Sequence, residues 1–121
     1  MKTTKDHFKA FENEAWRMIE LLGLKDWRVL FAHEFLNENI AEIRYNIGTR
    51  NANIILTTEF LDCGDKEFDP AIHARHEVYE LLLAEIQRRL MSAKVPDGEI
   101  EKLTHTVIRR LEKLCVHGVT E

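Results

Sequence analysis

Apolar residues recur at steps of three and four between Thr4 and Leu22: Phe8, Phe11, Ala15, Met18, Ile19 and Leu22. That spacing draws one apolar stripe along an amphipathic helix. Gly23 follows the last periodic residue, where a left-handed cap is expected, and Leu24 can fold back onto the helix. The period then changes. Trp27, Val29, Phe31 and Phe35 alternate with other residues, as do Ala41, Ile43, Tyr45 and Ile47. The run from Asn53 to Phe60 is short and β-branched. Period two predicts three strands, and the turn-like breaks Asn37-Glu-Asn39 and Gly48-Thr-Arg-Asn51 predict an antiparallel meander. Asp69-Pro70 is a helix start, because Asp caps free N–H groups and Pro suits the first helical position. The pattern predicts a helix from Pro70 to about Met91, a break at Pro96-Asp-Gly98, and a last helix from about Glu99 to Cys115. Ile100, Leu103, Val107, Leu111 and Leu114 form its stripe, and His117-Gly118 is its expected ending. The expectation is one α+β domain over residues 1–121: helix, three-stranded antiparallel meander, central helix, C-terminal helix.

Composition narrows the partners. The chain has 121 residues, 45% of them hydrophobic and 31% charged, which suits a globular domain with its own core. Its net charge of −4 argues against coating nucleic acid, which needs a basic face. No apolar run approaches the length of a membrane span, and the first residues lack the apolar stretch of an export signal. The two cysteines, Cys63 and Cys115, are isolated and read as reduced thiols, so the expected setting is the cytoplasm, with Cys63 a lesser metal candidate. Trp16, Trp27 and Tyr79 are expected in the core.

One segment carries chemistry. With His73 at 0° on a helical wheel, His76 falls at about 300°, Glu77 at about 40° and Glu80 at about 340°. Four ionisable groups therefore share one helix face, and His73/Glu77 and His76/Glu80 are each four apart. Two readings follow. They are i,i+4 charge pairs on a solvated face, or two of them converge on a divalent ion. A carboxylate next to the first ligand lies beside such an ion without binding it, placed to act as a general base, which is the physics of H-E-x-x-H. Here the string is His76-Glu77-Val78-Tyr79-Glu80, with a carboxylate as the second ligand. The other H-E pair, His33-Glu34, sits in a strand-like run, where neighbours point to opposite faces and cannot share an ion, and is read as structural or surface. His7 and His117 are read as solvated. The doublets Arg88-Arg89 and Arg109-Arg110 are read as exposed helix charge, with a joint patch for an acidic partner as the alternative.

The segment Ala74-Arg-His-Glu-Val-Tyr-Glu-Leu-Leu-Leu83 resembles the active-site helix of minimal, gluzincin-like zincin metallopeptidases, often met as small phage-encoded proteins. The element order, Trp27 opening the first strand, the Asn53–Leu56 strand and His105-Thr-Val-Ile-Arg-Arg-Leu-Glu112 are also similar. The resemblance implies a zinc-dependent hydrolase acting on a peptide or protein substrate, with Glu77 as general base. The family's second ligand is usually His and its third an acidic residue near where Thr104 and His105 stand. An exchange restores two His and one carboxylate: His76, Glu80 and His105. Helical phase puts His105 on the flank of the last helix, so Glu101 and His73 are rival third ligands. The alternative is a non-catalytic zincin-like binding or structural module.

Overall fold

The computed structural model describes residues 1–61 and 67–116, and for 114–116 the backbone alone. Its elements are α1 (Lys5–Leu21), β1 (Arg28–His33), β2 (Ala41–Asn46), β3 (Asn51–Leu56), α2 (Pro70–Leu82), α3 (Ala84–Ser92) and α4 (Asp97–Val116). The class is α+β, as the sequence pattern predicts. The chain groups into two compact units, Met1–Val78 and Tyr79–Glu121. Cys63, the side chains of Leu114 and Cys115, and the His117-Gly118 ending lie outside the described residues.

In the first unit, α1 starts on a reciprocal cap. The Thr4 hydroxyl accepts from His7 N–H at 3.1 Å, and His7 Nδ1 accepts from Thr4 N–H at 3.0 Å. His7, read from sequence as a solvated residue, is half-buried in this role and sets its ring edge-on to Phe68. At the other end Gly23 takes φ +70°. Its N–H bonds the Glu20 carbonyl at 3.2 Å, and Leu24 N–H bonds Ile19 at 2.9 Å. This is the two-bond left-handed cap that a glycine after the apolar stripe predicts. Phe11, Ala15, Met18 and Ile19 are buried.

The sheet is mixed and not a meander. Its order is β1-β3-β2, with β1 parallel to β3 and β2 antiparallel to β3. The second turn behaves as expected: Asn46 Oδ1 accepts from Thr49 N–H at 3.1 Å and Arg50 takes φ +58°, closing a β2–β3 hairpin. The first connection, residues 34–40, is too long to force a hairpin, and β3 occupies the place beside β1. Burial explains the choice. Ala52, Ile54, Ile55 and Leu56 are all buried, so β3 gains most from lying in the centre. Val29, Phe31 and His33 share one sheet face with Ala52, Ile54 and Leu56. α1 lies on it, with Phe8 stacked on His33 at 5.1 Å and Trp16 tilted on Phe31 at 5.3 Å. Trp27 is buried against Tyr45, under the Arg50 guanidinium at 5.1 Å. Trp16, expected in the core, is 45% exposed, because its position on α1 lies at the margin of the stripe.

His33 is structural, as its place in a strand predicts. The Thr3 hydroxyl donates to the Thr57 carbonyl at 2.6 Å, so at 2.6 Å from His33 Nε2 it accepts the ring N–H.

A second polar link ties α1 to α2. Arg75 and Arg17 both bond Glu14, at 2.7 and 2.7–2.8 Å, and the Glu14 side chain is 13% exposed. The hydrogen bond from Arg17 lowers the Glu14 pKa, with Arg75 adding to it and burial opposing. A carboxyl depressed by folding adds stability above its unfolded pKa and loses it as pH falls through the folded one. Glu14→Gln is therefore expected to cost about 1.5–3 kcal/mol at neutral pH. Urea unfolding at pH 7 and pH 3 is expected to show the parent and variant converging at the acid end.

The second unit contains the end of α2, then α3 and α4. The single helix expected to Met91 is broken at Leu83, which takes φ −91°, ψ 0° between α2 and α3. No Pro or Gly marks the break. α3 closes at Lys94, with φ +63°: its N–H bonds Met91 at 3.0 Å and Val95 N–H bonds Leu90 at 3.1 Å. The same cap that Gly23 makes is thus made here by a lysine, which hid it from a reading that looks for glycine. α4 begins at Asp97 and not Glu99, because the Pro96 carbonyl already accepts from Glu99 and Ile100 N–H at 3.0 and 3.1 Å. α3 packs on α4, and Gln87 Nε2 donates to Thr104 Oγ1 at 3.4 Å. Among the described residues no helix is long and apolar enough to cross a membrane.

Candidate metal centre

Asp69 and Pro70 start α2 as the sequence predicts: Asp69 Oδ1 accepts from Ala71 N–H at 3.0 Å, and Pro70 is the first helical residue. Ala74, Val78 and Leu81 are fully buried and Tyr79 nearly so, its hydroxyl donating to the Leu111 carbonyl at 3.4 Å. With these positions committed to packing, the rotation of α2 is fixed. His76 and Glu80 then sit half-buried, one turn apart on the adjoining face.

α4 supplies the third group. Among its described side chains the buried ones are Ile100, Thr104 and Ile108, while Leu103 is 56% and Val107 39% exposed. The stripe expected from sequence ran through Leu103 and Val107 instead. Buried residues four apart advance by about 40° per step, so the true buried face is centred near Thr104, about 30° closer to His105 than the apolar pattern suggested. The rotation brings His105 nearer the buried face but leaves it on the flank, about 100° from the centre. His105 is half-buried. Thr104 has its own task, donating to the Ile100 carbonyl at 2.8 Å.

His76, Glu80 and His105 each offer one ligand atom, and these atoms all lie within 4.8 Å of one another. Among the described residues no other group of three His, Cys, Asp or Glu converges this way. Three atoms so placed share a centre no more than about 2.8 Å from each, and zinc bonds imidazole and carboxylate at about 2.0–2.2 Å, so sub-ångström side-chain adjustment closes the set. Two imidazoles and one carboxylate, with a fourth position for water, is the donor chemistry of a catalytic zinc site. The residues fit the ion. The triad can hold a divalent metal.

The other sequence candidates fall outside the triad. His73 is half-buried and stacked on Phe68 at 5.5 Å, and Glu101 is exposed. Glu77 follows His76 directly, takes no place in the triad, and is only 6% exposed. A carboxylate that buried is not a member of a solvated charge face.

An open cleft of about 320 Å³ adjoins two of the triad residues. It is lined by Glu80, His105, Asp97, Glu101, Ile100 and Met91 among others. Sequence reasoning named Glu101 only as a rival ligand and passed over Asp97 and Met91, since nothing in their spacing signals a cleft. No protein-family model, curated protein or solved structure matches the chain.

Proposed function

We propose that the protein is a zinc-dependent peptidase, with His76, Glu80 and His105 as metal ligands and Glu77 as general base. The convergence of the three ligand atoms, with a fourth group, the buried carboxylate of Glu77, next in sequence to the first ligand, carries this reading. When bound, the ion would lower the pKa of water and polarise a carbonyl oxygen. The rest falls to the chain. His76 and Glu80 present their ligand atoms from successive turns of one helix, so the distance between them is set by backbone geometry and not by loop closure. Glu77 is buried and follows the first ligand directly in sequence. It takes a proton from the attacking water and returns it to the leaving amine, so its carboxylate ends the cycle as it began. The sheet keeps two outer strands, β1 and β2, either of which offers main-chain groups to an extended peptide.

The zinc-loaded chain is expected to cleave members of a mixed peptide library, read by mass spectrometry. A chelator stops the cleavage and added zinc restores it. Intact peptides from protein carrying one zinc per chain would overturn the enzymatic part and leave a structural metal centre.

A further inference from the structure

We infer that the cleft beside Glu80 and His105 is a subsite for a lysine or arginine side chain of the substrate; this rests on the peptidase reading above. Three observations carry it. First, the cleft shares Glu80 and His105 with the triad, so whatever fills it lies next to the candidate metal position. Secondly, its lining pairs an apolar stretch with carboxylates. Ile100 is buried and Met91 is exposed, and Asp97 and Glu101 stand one turn apart on α4. A long cationic side chain has the matching division: an apolar stem and a charged head. Thirdly, among the described residues no Lys or Arg lines the cleft. Asp97 and Glu101 therefore line it with no Lys or Arg among the described residues of the same lining. Stabilisation of the α4 dipole accounts for Asp97, which lies in the first turn, but not for Glu101 in the second. Gln87 and Thr104 meet each other at 3.4 Å and carry no charge, and Glu80 and His105 belong to the triad, so Asp97 and Glu101 are the groups left to discriminate by charge.

The test uses the full zinc-loaded Glu77→Gln chain, which keeps its peptides intact, and two labelled probes. One is Ala-Leu-Lys-Ala-Leu-Ala; its twin has norleucine for lysine. Fluorescence anisotropy at low salt is expected to give about tenfold tighter binding of the lysine peptide, weakening as salt rises. Adding D97N and E101Q together is expected to bring the two affinities within about twofold, with zinc per chain and the far-ultraviolet dichroism unchanged. Equal binding of both peptides at the start, or a lysine preference that survives D97N/E101Q, would overturn the subsite. Cleavage by the parent chain is scored apart. Turnover without lysine preference removes this inference alone, whereas lysine preference without turnover removes the peptidase reading and leaves a cation-binding cleft.

Discussion

Glu77→Gln is expected to cut peptide hydrolysis about a thousandfold while the protein keeps its zinc. General-base catalysis is worth roughly 10²–10⁴ in rate. The amide has the same shape as the carboxylate but cannot accept a proton from water. The residue is 6% exposed and follows His76 directly in the chain. The loss should appear in kcat and in kcat/KM alike, with KM nearly unchanged, because the proton transfer is made on the way to the transition state and not in the ground state. Stopped assays with a library-derived substrate measure it. Activity within a few-fold of the parent would remove Glu77 from the mechanism.

The second large effect is on stability. A ligand that binds only the folded chain stabilises it by about 2.7 kcal/mol at a hundred times its Kd. For a chain of this length that is a rise in Tm of roughly 10 °C. The parent is expected to show it on adding zinc after chelation. His105→Ala should show almost none, since the remaining pair on α2 is an ordinary two-ligand site. His73→Ala and Glu101→Gln should keep the full rise, because neither side chain belongs to the triad. This ordering separates His105 from its two rivals in one set of melting curves. A rise that survives His105→Ala but disappears in Glu101→Gln would assign the third ligand to Glu101.

Local features were the most legible. The α1 stripe, the Gly23 cap, the Asp69-Pro70 start and the i,i+4 geometry of His76 and Glu80 all depend on neighbours within a turn or two, where spacing and backbone preference decide. Strand order was not legible. A meander and the observed β1-β3-β2 order share the same three strands and differ only in which pair is adjacent, and the burial that places β3 centrally appears only once the sheet is packed. The break at Leu83 has no sequence mark either. α4 is the instructive case for the site. Its leucine and valine at 103 and 107 pulled the expected face away from His105, but the fold buries Thr104 instead, satisfying its hydroxyl on the Ile100 carbonyl. A threonine that bonds back into its own helix can be buried as readily as an aliphatic residue, and a polarity pattern does not show this. The end of α3 near Met91 was expected, but its cap was not, because Lys94 adopts a conformation usually given to glycine.

The most direct measurement is elemental analysis of the full chain, freshly purified and dialysed, beside His76→Ala prepared in the same way. The account requires close to one zinc per parent chain and almost none in the variant. A parent chain that takes up no divalent metal under zinc loading, while folded by dichroism, would contradict it.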